Sequence, residues 1–177
     1  MARTNDGLLA CNMGDPSAAL YKFALDGSMD ELATAPALAE YPHGFNRCAV
    51  HQQTQRTYAL AMGGGTLREA GRDALVLLDS NLQVVGTVDS ADGDFCDAFC
   101  DVAVHGDQVI VLTGQRGLRL LDLDGRFLRT IVIRQLRSPR AVAVSDGKAF
   151  VVDEDGYEED EDSEEDGVDE GAAFSMS

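Results

Sequence analysis

Cys96 and Cys100, with three residues between them and followed by His105, come nearest to a metal-binding pattern in this chain. Thiolates and imidazole suit zinc, but a structural site takes four ligands, and no fourth follows at zinc spacing. The four cysteines sit in a chain long enough to need no disulfide framework, so reduced thiols are expected. Calcium is the next possibility, because the chain turns strongly acidic after Asp153. With Asp162, Glu164, Asp166 and Gly167 set at loop positions one, three, five and six of an EF-hand, Ala173 falls where a bidentate glutamate belongs, and the register fails. Diffuse cation binding to a solvated tail is what remains. Ser163, directly before Glu164, Glu165 and Asp166, stands in the setting that acidophilic kinases favour and is the candidate phosphosite. Gly63, Gly64 and Gly65 form no phosphate cradle, since no Lys-Ser/Thr pair follows and no helix opens. No Ser-His-Asp or Cys-His grouping stands out. No catalytic, cofactor-binding or metal-ligating residue is therefore assigned, and no cofactor is expected.

Arginine supplies the other concentration of chemistry. Arg116, Arg119, Arg126, Arg129, Arg134, Arg137 and Arg140 make up half of the 14 Lys and Arg residues, offset locally only by Asp122 and Asp124. Such a stripe is either a salt-bridged surface or a contact face for an acidic partner or for RNA phosphates. The acidic tail, from Asp153 onward, holds thirteen Asp and Glu and no Lys or Arg. The tail carries most of the net charge of −17; residues 1–152 hold eighteen acids against fourteen bases. Tethered close to the arginines, the tail has a high effective concentration there and is expected to fold back over them. It also serves solubility.

The elements that must position these groups are short strands. Hydrophobic residues are 45% of the 177, aromatics 6%, and tryptophan is absent, so a core must rest on Val, Leu, Ala and Ile. That composition favours β-structure. No apolar run approaches the eighteen or so residues that span a bilayer, and the N-terminus lacks the basic start and apolar core of a secretory signal. A cytoplasmic protein is expected, with the nucleus as the alternative, and no membrane contact. The segment AVAVSDGKAFVVD lies without a gap on DVAVHGDQVIVLT, placing Val142, Val144, Phe150 and Val152 on Val102, Val104, Ile110 and Leu112. ALVLLDSNLQVVGTV overlays the segment from Gly117, and LYKFALDG aligns on LRLLDLDG. Self-alignment at a period of about 40 to 55 residues, with four short strands per unit, is the sequence form of a β-propeller blade. A generic sandwich has similar strands but no such repetition.

Pro139, the Asp146-Gly147 turn, the Val152-Asp153 strand end and the Asp124-Gly125-x-Phe127 turn resemble the NHL-repeat and related six-bladed, TolB-like propeller families. The resemblance is good over residues 101–153 and covers about half the chain. It implies an all-β array of four-stranded antiparallel blades, about three to four of them, over residues 7–153; if the C-terminal strand pair joins the N-terminal three the ring closes at four blades, and otherwise it is incomplete. A disordered acidic tail, residues 154–177, follows. Strands count as three, four, four and two across the successive units. With no catalytic site in view, the expected role is a noncatalytic protein-binding scaffold with an acidic protein partner. A propeller lyase or hydrolase with a metal in the central channel is the alternative, as is RNA binding through the arginines. An incomplete ring also invites homo-oligomers, because it leaves strand edges exposed.

Overall fold

The computed structural model of the chain describes residues 1–11, 19–26, 28, 30–36, 38–41, 43–63, 73–90, 98–114, 117–154 and 173–175. Cys96, Arg116, Ser163 and the acidic run 155–172 lie outside the described residues. Blade 1 comprises β1 (Ala2–Arg3), β2 (Gly7–Cys11), β3 (Ala19–Ala24) and β4 (Glu31–Pro36). Blade 2 comprises β5 (Phe45–His51), β6 (Arg56–Ala61), β7 (Ala74–Leu78) and β8 (Val84–Asp89). Blade 3 follows with β9 (Phe99–His105), β10 (Gln108–Thr113), β11 (Gly117–Asp122) and β12 (Phe127–Val132). Blade 4 has β13 (Pro139–Ser145), β14 (Lys148–Asp153) and β15 (Ala173–Ser175). In every blade each strand pairs antiparallel with the next one in sequence. The protein is all-β, an array of antiparallel blades.

Two strands lie outside the expected span of 7–153. β1 sets Ala2 and Arg3 against Leu9 and Leu8, and β15 sets Ala173 and Ser175 against Phe150 and Lys148. Strands this short carry no periodicity of their own. They form because β2 and β14 would otherwise present an open row of backbone N–H and C=O groups. Glu31–Pro36, which has a helix-compatible composition but is interrupted by Pro36, is the edge strand of blade 1, where a missing N–H costs no ladder bond.

The repeat extends to turn chemistry. Asp79 Oδ1 accepts the N–H groups of Asn81 and Gln83, each at 2.9 Å, and Asp122 Oδ1 accepts those of Asp124 and Arg126, each at 2.9 Å. The residue that closes each turn has a positive φ, 61° at Leu82 and 82° at Gly125. At Gly125 a Cβ would come within 2.8 Å of Val88 Cγ2, so this copy uses glycine for space as well as conformation.

Alternation along the middle strands buries both faces of a blade. On β10, Val109 and Val111 pack toward blade 2 with Tyr58, Leu60, Leu75 and Leu77. Ile110 and Leu112 face the other way, toward Val142, Ala149 and Val151 of blade 4. A third cluster joins Leu9 and Leu20 of blade 1 to Phe45, Ala59, Val76 and Leu78 of blade 2. This is why ALVLL and QVIVL are continuous apolar runs: neither side meets water. Among the described residues these are three cores for four blades, each between successive blades, and none joins blade 4 to blade 1.

The first strand of each blade is innermost in the array, and β9 packs beside both β5 and β13. Because strand direction alternates, β5, β9 and β13 all begin at one end of the array. β2, β6, β10 and β14 finish there, and the tight hairpins after His105 and Ser145 lie at the opposite, turn end.

Candidate functional site

The structure divides the arginine stripe. Arg119 is buried: its guanidinium carbon lies 6.0 Å from the Phe99 ring centre and 5.6 Å from that of Phe127. It points toward blade 2 from a position where blade 2 itself carries Val76, so it belongs to the packing between blades. Arg126 and Arg129 are exposed, Arg126 at the turn end and Arg129 within the outer strand β12. Arg134 and Arg137 are exposed in the connection before β13, and Arg140 is exposed at its start, all at the opposite end. Arg140 is already engaged, forming an ion pair with Glu154. The Asp153 carboxylate holds the same connection by accepting the Arg137 N–H at 2.7 Å and the Ser138 N–H at 2.6 Å. The described arginines therefore do not form one continuous face.

A cleft of about 560 Å³ opens among the innermost strands at the end where Arg134, Arg137 and Arg140 lie; Cys11, Asn46, Arg47, Cys48, Asp101 and Val102 are among the residues lining it. Three blades contribute, through the end of β2 and the beginnings of β5 and β9. Asp101 organises it. Its Oδ1 accepts the N–H of Val102 at 2.9 Å, and its Oδ2 accepts the Val142 N–H of blade 4, also at 2.9 Å. Arg47 Nε stands 3.7 Å from Asp101 Oδ1, with the arginine half-exposed and the aspartate largely covered. The carboxylate thus ties together the inner strands of blades 2, 3 and 4. Beside it, the Asn46 side-chain oxygen is buried with no hydrogen-bond partner among the described residues. Asn46 is one of the residues lining the cleft, and a buried acceptor without a donor is costly.

Cys11 and Cys48 meet across the junction of blades 1 and 2. Their hydrogen bond holds the Cys11 thiol below its ordinary pKa, aided by the N-terminal amine and Arg47. The same bond pushes Cys48 upward, with burial adding to it. Cys100 and His105 stand near opposite ends of β9, five residues or about 16 Å apart at strand rise, so they cannot share a metal ion. Among the described residues, no three His, Cys, Asp or Glu side chains cluster in a way that could hold one.

Sequence reasoning passes over Asn46, Arg47 and Asp101, although a signal exists. When the repeats are aligned through Cys48, Val102 and Val142, the preceding residues are Arg47, Asp101 and Ala141. That position reads positive, negative and neutral in successive blades, while the strand behind it keeps its pattern.

Asp73, just before β7, is a second buried carboxylate. It accepts the N–H of Phe99 at 3.1 Å and that of Gly63 at 3.3 Å, joining blade 2 to the start of blade 3. Burial raises its pKa above the ordinary carboxylate value, only partly opposed by these two bonds. A carboxylate with a raised folded pKa contributes stability that is complete below its unfolded pKa and lost as pH rises through its folded pKa. Asp73→Asn removes this penalty. The unfolding free energy of the variant minus that of the wild type is therefore expected to fall as pH is lowered from about 7 to 3 in urea titrations. A difference that is flat or grows in acid would contradict the assignment.

No protein-family model and no curated protein sequence matches the chain. Solved structures do. BamB from Moraxella catarrhalis is 16% identical with a TM-score of 0.57, over 86% of this chain and 43% of that one. The WD40 repeats of RRP9 are 12% identical with a TM-score of 0.63, over 83% of this chain and 41% of that one. The computationally designed Ika4 protein is 10% identical with a TM-score of 0.61, over 99% of this chain and 90% of that one. The chain thus spans less than half of the BamB and RRP9 chains it matches. At such identities the likeness carries the fold alone, and that fold is the β-propeller.

Proposed function

We propose that this chain is a noncatalytic, protein-binding propeller module with NHL-like repeats, working in the cytoplasm, and that its contact surface is the cleft end. The observation that carries this is the buried, open Asn46 oxygen beside the half-exposed Arg47 guanidinium. A peptide segment that brings a carboxylate to Arg47, and a backbone N–H to Asn46 once its side chain turns outward, meets both needs at once. Arg134 and Arg137 at the same end extend the attraction, so the partner chemistry is an acidic peptide. Glu154, bound to Arg140 where β14 leaves the sheet, begins the acidic tail at this same end. The tail then acts as a tethered competitor for this surface.

The test is fluorescence anisotropy with a labelled Asp/Glu-rich peptide. Arg47→Glu is expected to weaken binding about tenfold or more, while Arg126→Glu, at the turn end, leaves it unchanged. Equal losses from both variants would reduce the interaction to net charge and defeat the proposal. RNA recognition would show instead as binding of single-stranded RNA that declines steeply with salt.

A further inference from the structure

Phe150 and Val152 of β14 are 42% and 60% exposed, whereas their counterparts Ile110 and Leu112 in blade 3, and Tyr58 and Leu60 in blade 2, are at most 1% exposed. The counterparts are buried against the following blade. Blade 4 presents the same apolar face, with Ala141 opposite Val152 and Ala143 opposite Phe150, and no blade follows it among the described residues.

The other end of the array has the converse feature. Tyr21 and Phe23 of β3 occupy the positions of Val76 and Leu78 in blade 2 and of Arg119 and Leu121 in blade 3, all four of them buried. Those residues face the preceding blade; among the described residues no blade covers Tyr21 and Phe23, which are only half-buried, their rings stacked at 6.0 Å. Leu8, opposite Phe23, and the exposed Leu32 widen this face.

A closed ring has as many junctions as blades, and among the described residues four blades share three apolar cores. We propose that a second copy of this chain supplies what is missing: blade 4 of each copy packs against blade 1 of the other, closing a ring of eight blades. The two end faces are the front and back of one repeat, so the new junction is of the same kind as the three inside the chain. A two-fold axis then makes both new junctions identical. Eight blades fall within the usual propeller range. Charge agrees as well, since Lys148 on the blade 4 face and Glu31 on the blade 1 face both lie at the turn end. The match of this array to about two fifths of the RRP9 chain, at a TM-score of 0.63, fits an arc of a larger ring. This inference goes beyond the peptide-binding cleft and does not depend on it.

Sedimentation velocity of the full chain tests it. The wild type is expected to sediment as two chains, and a monomer at about 100 µM overturns the proposal. Phe150→Asp with Val152→Asp, and separately Tyr21→Asp with Phe23→Asp, are each expected to weaken association about a hundredfold or more. Mixing the two variants is expected to restore two-chain particles, because one unaltered junction survives in the mixed ring. If the blade 1 variant stays dimeric, or the mixture stays monomeric while both variants keep wild-type circular dichroism, the proposal falls. Should a double variant lose its strand signal, Val152→Asp alone, at the most exposed of these positions, answers the same question.

Discussion

Replacing Tyr58 with alanine is expected to lower the unfolding free energy by about 3–5 kcal/mol, the range for emptying a large buried aromatic site. Tyr58 is fully buried between blades 2 and 3, among Leu60, Leu75, Leu77, Val109 and Val111. Middle strands on both sides hold that site open, so little collapse can offset the cavity. Its hydroxyl donates to the Leu123 carbonyl at 2.9 Å, but the same carbonyl also accepts Arg56 Nη1 at 2.8 Å. Tyr58→Phe therefore leaves no orphaned acceptor and is expected to cost only about 0.5–1.5 kcal/mol. The pair of variants separates packing from hydrogen bonding. Urea unfolding at one fixed protein concentration is the measurement, because self-association would add to apparent stability. Similar losses for the two variants would place the energy in the hydroxyl and contradict this account.

Asp101→Ala is expected to cost about 1–3 kcal/mol. The reason lies at the inner edge of the array. Among the described residues β13 has β14 on one side and no ladder partner on the other, so the Val142 N–H depends on Asp101 Oδ2. Alanine leaves that mostly buried donor without its acceptor and releases Arg47 as well. Asp101→Asn retains one carbonyl oxygen and is expected to lose less. Amide exchange at Val142, followed by NMR, reports the local event: protection should fall more in Asp101→Ala than at the core amide of Val111. A uniform fall across blades would mean that Asp101 supports global stability and not this particular junction.

Much of the fold is legible in local sequence. The Leu-Asp segments at Leu78-Asp79 and Leu121-Asp122 repeat because each aspartate caps the same turn, and such chemistry needs no distant partner. The hairpin between β5 and β6 is two residues longer than that between β9 and β10, a variation that leaves the strand pattern unchanged. The two short strands β1 and β15 are not legible, because their pairing is induced by neighbouring edges and their own residues carry no period. The arginine stripe misleads for a related reason. Arg119 and Arg129 are both charged residues on strands of one blade, yet one lies under Phe99 and Phe127 and the other is exposed.

Alternation with period two determines from sequence alone which residues share a face of a blade, and self-alignment determines that the blades repeat. Neither says which faces another blade covers. That depends on how the sheets stack, and stacking decides that Ile110 is buried while Phe150, in the same place in the repeat, is exposed. It also decides that Cys11, Arg47 and Asp101, from three different blades, line one cleft. The strands are local consequences of side-chain pattern; the cleft and the two apolar ends arise only when whole blades are set side by side around an axis.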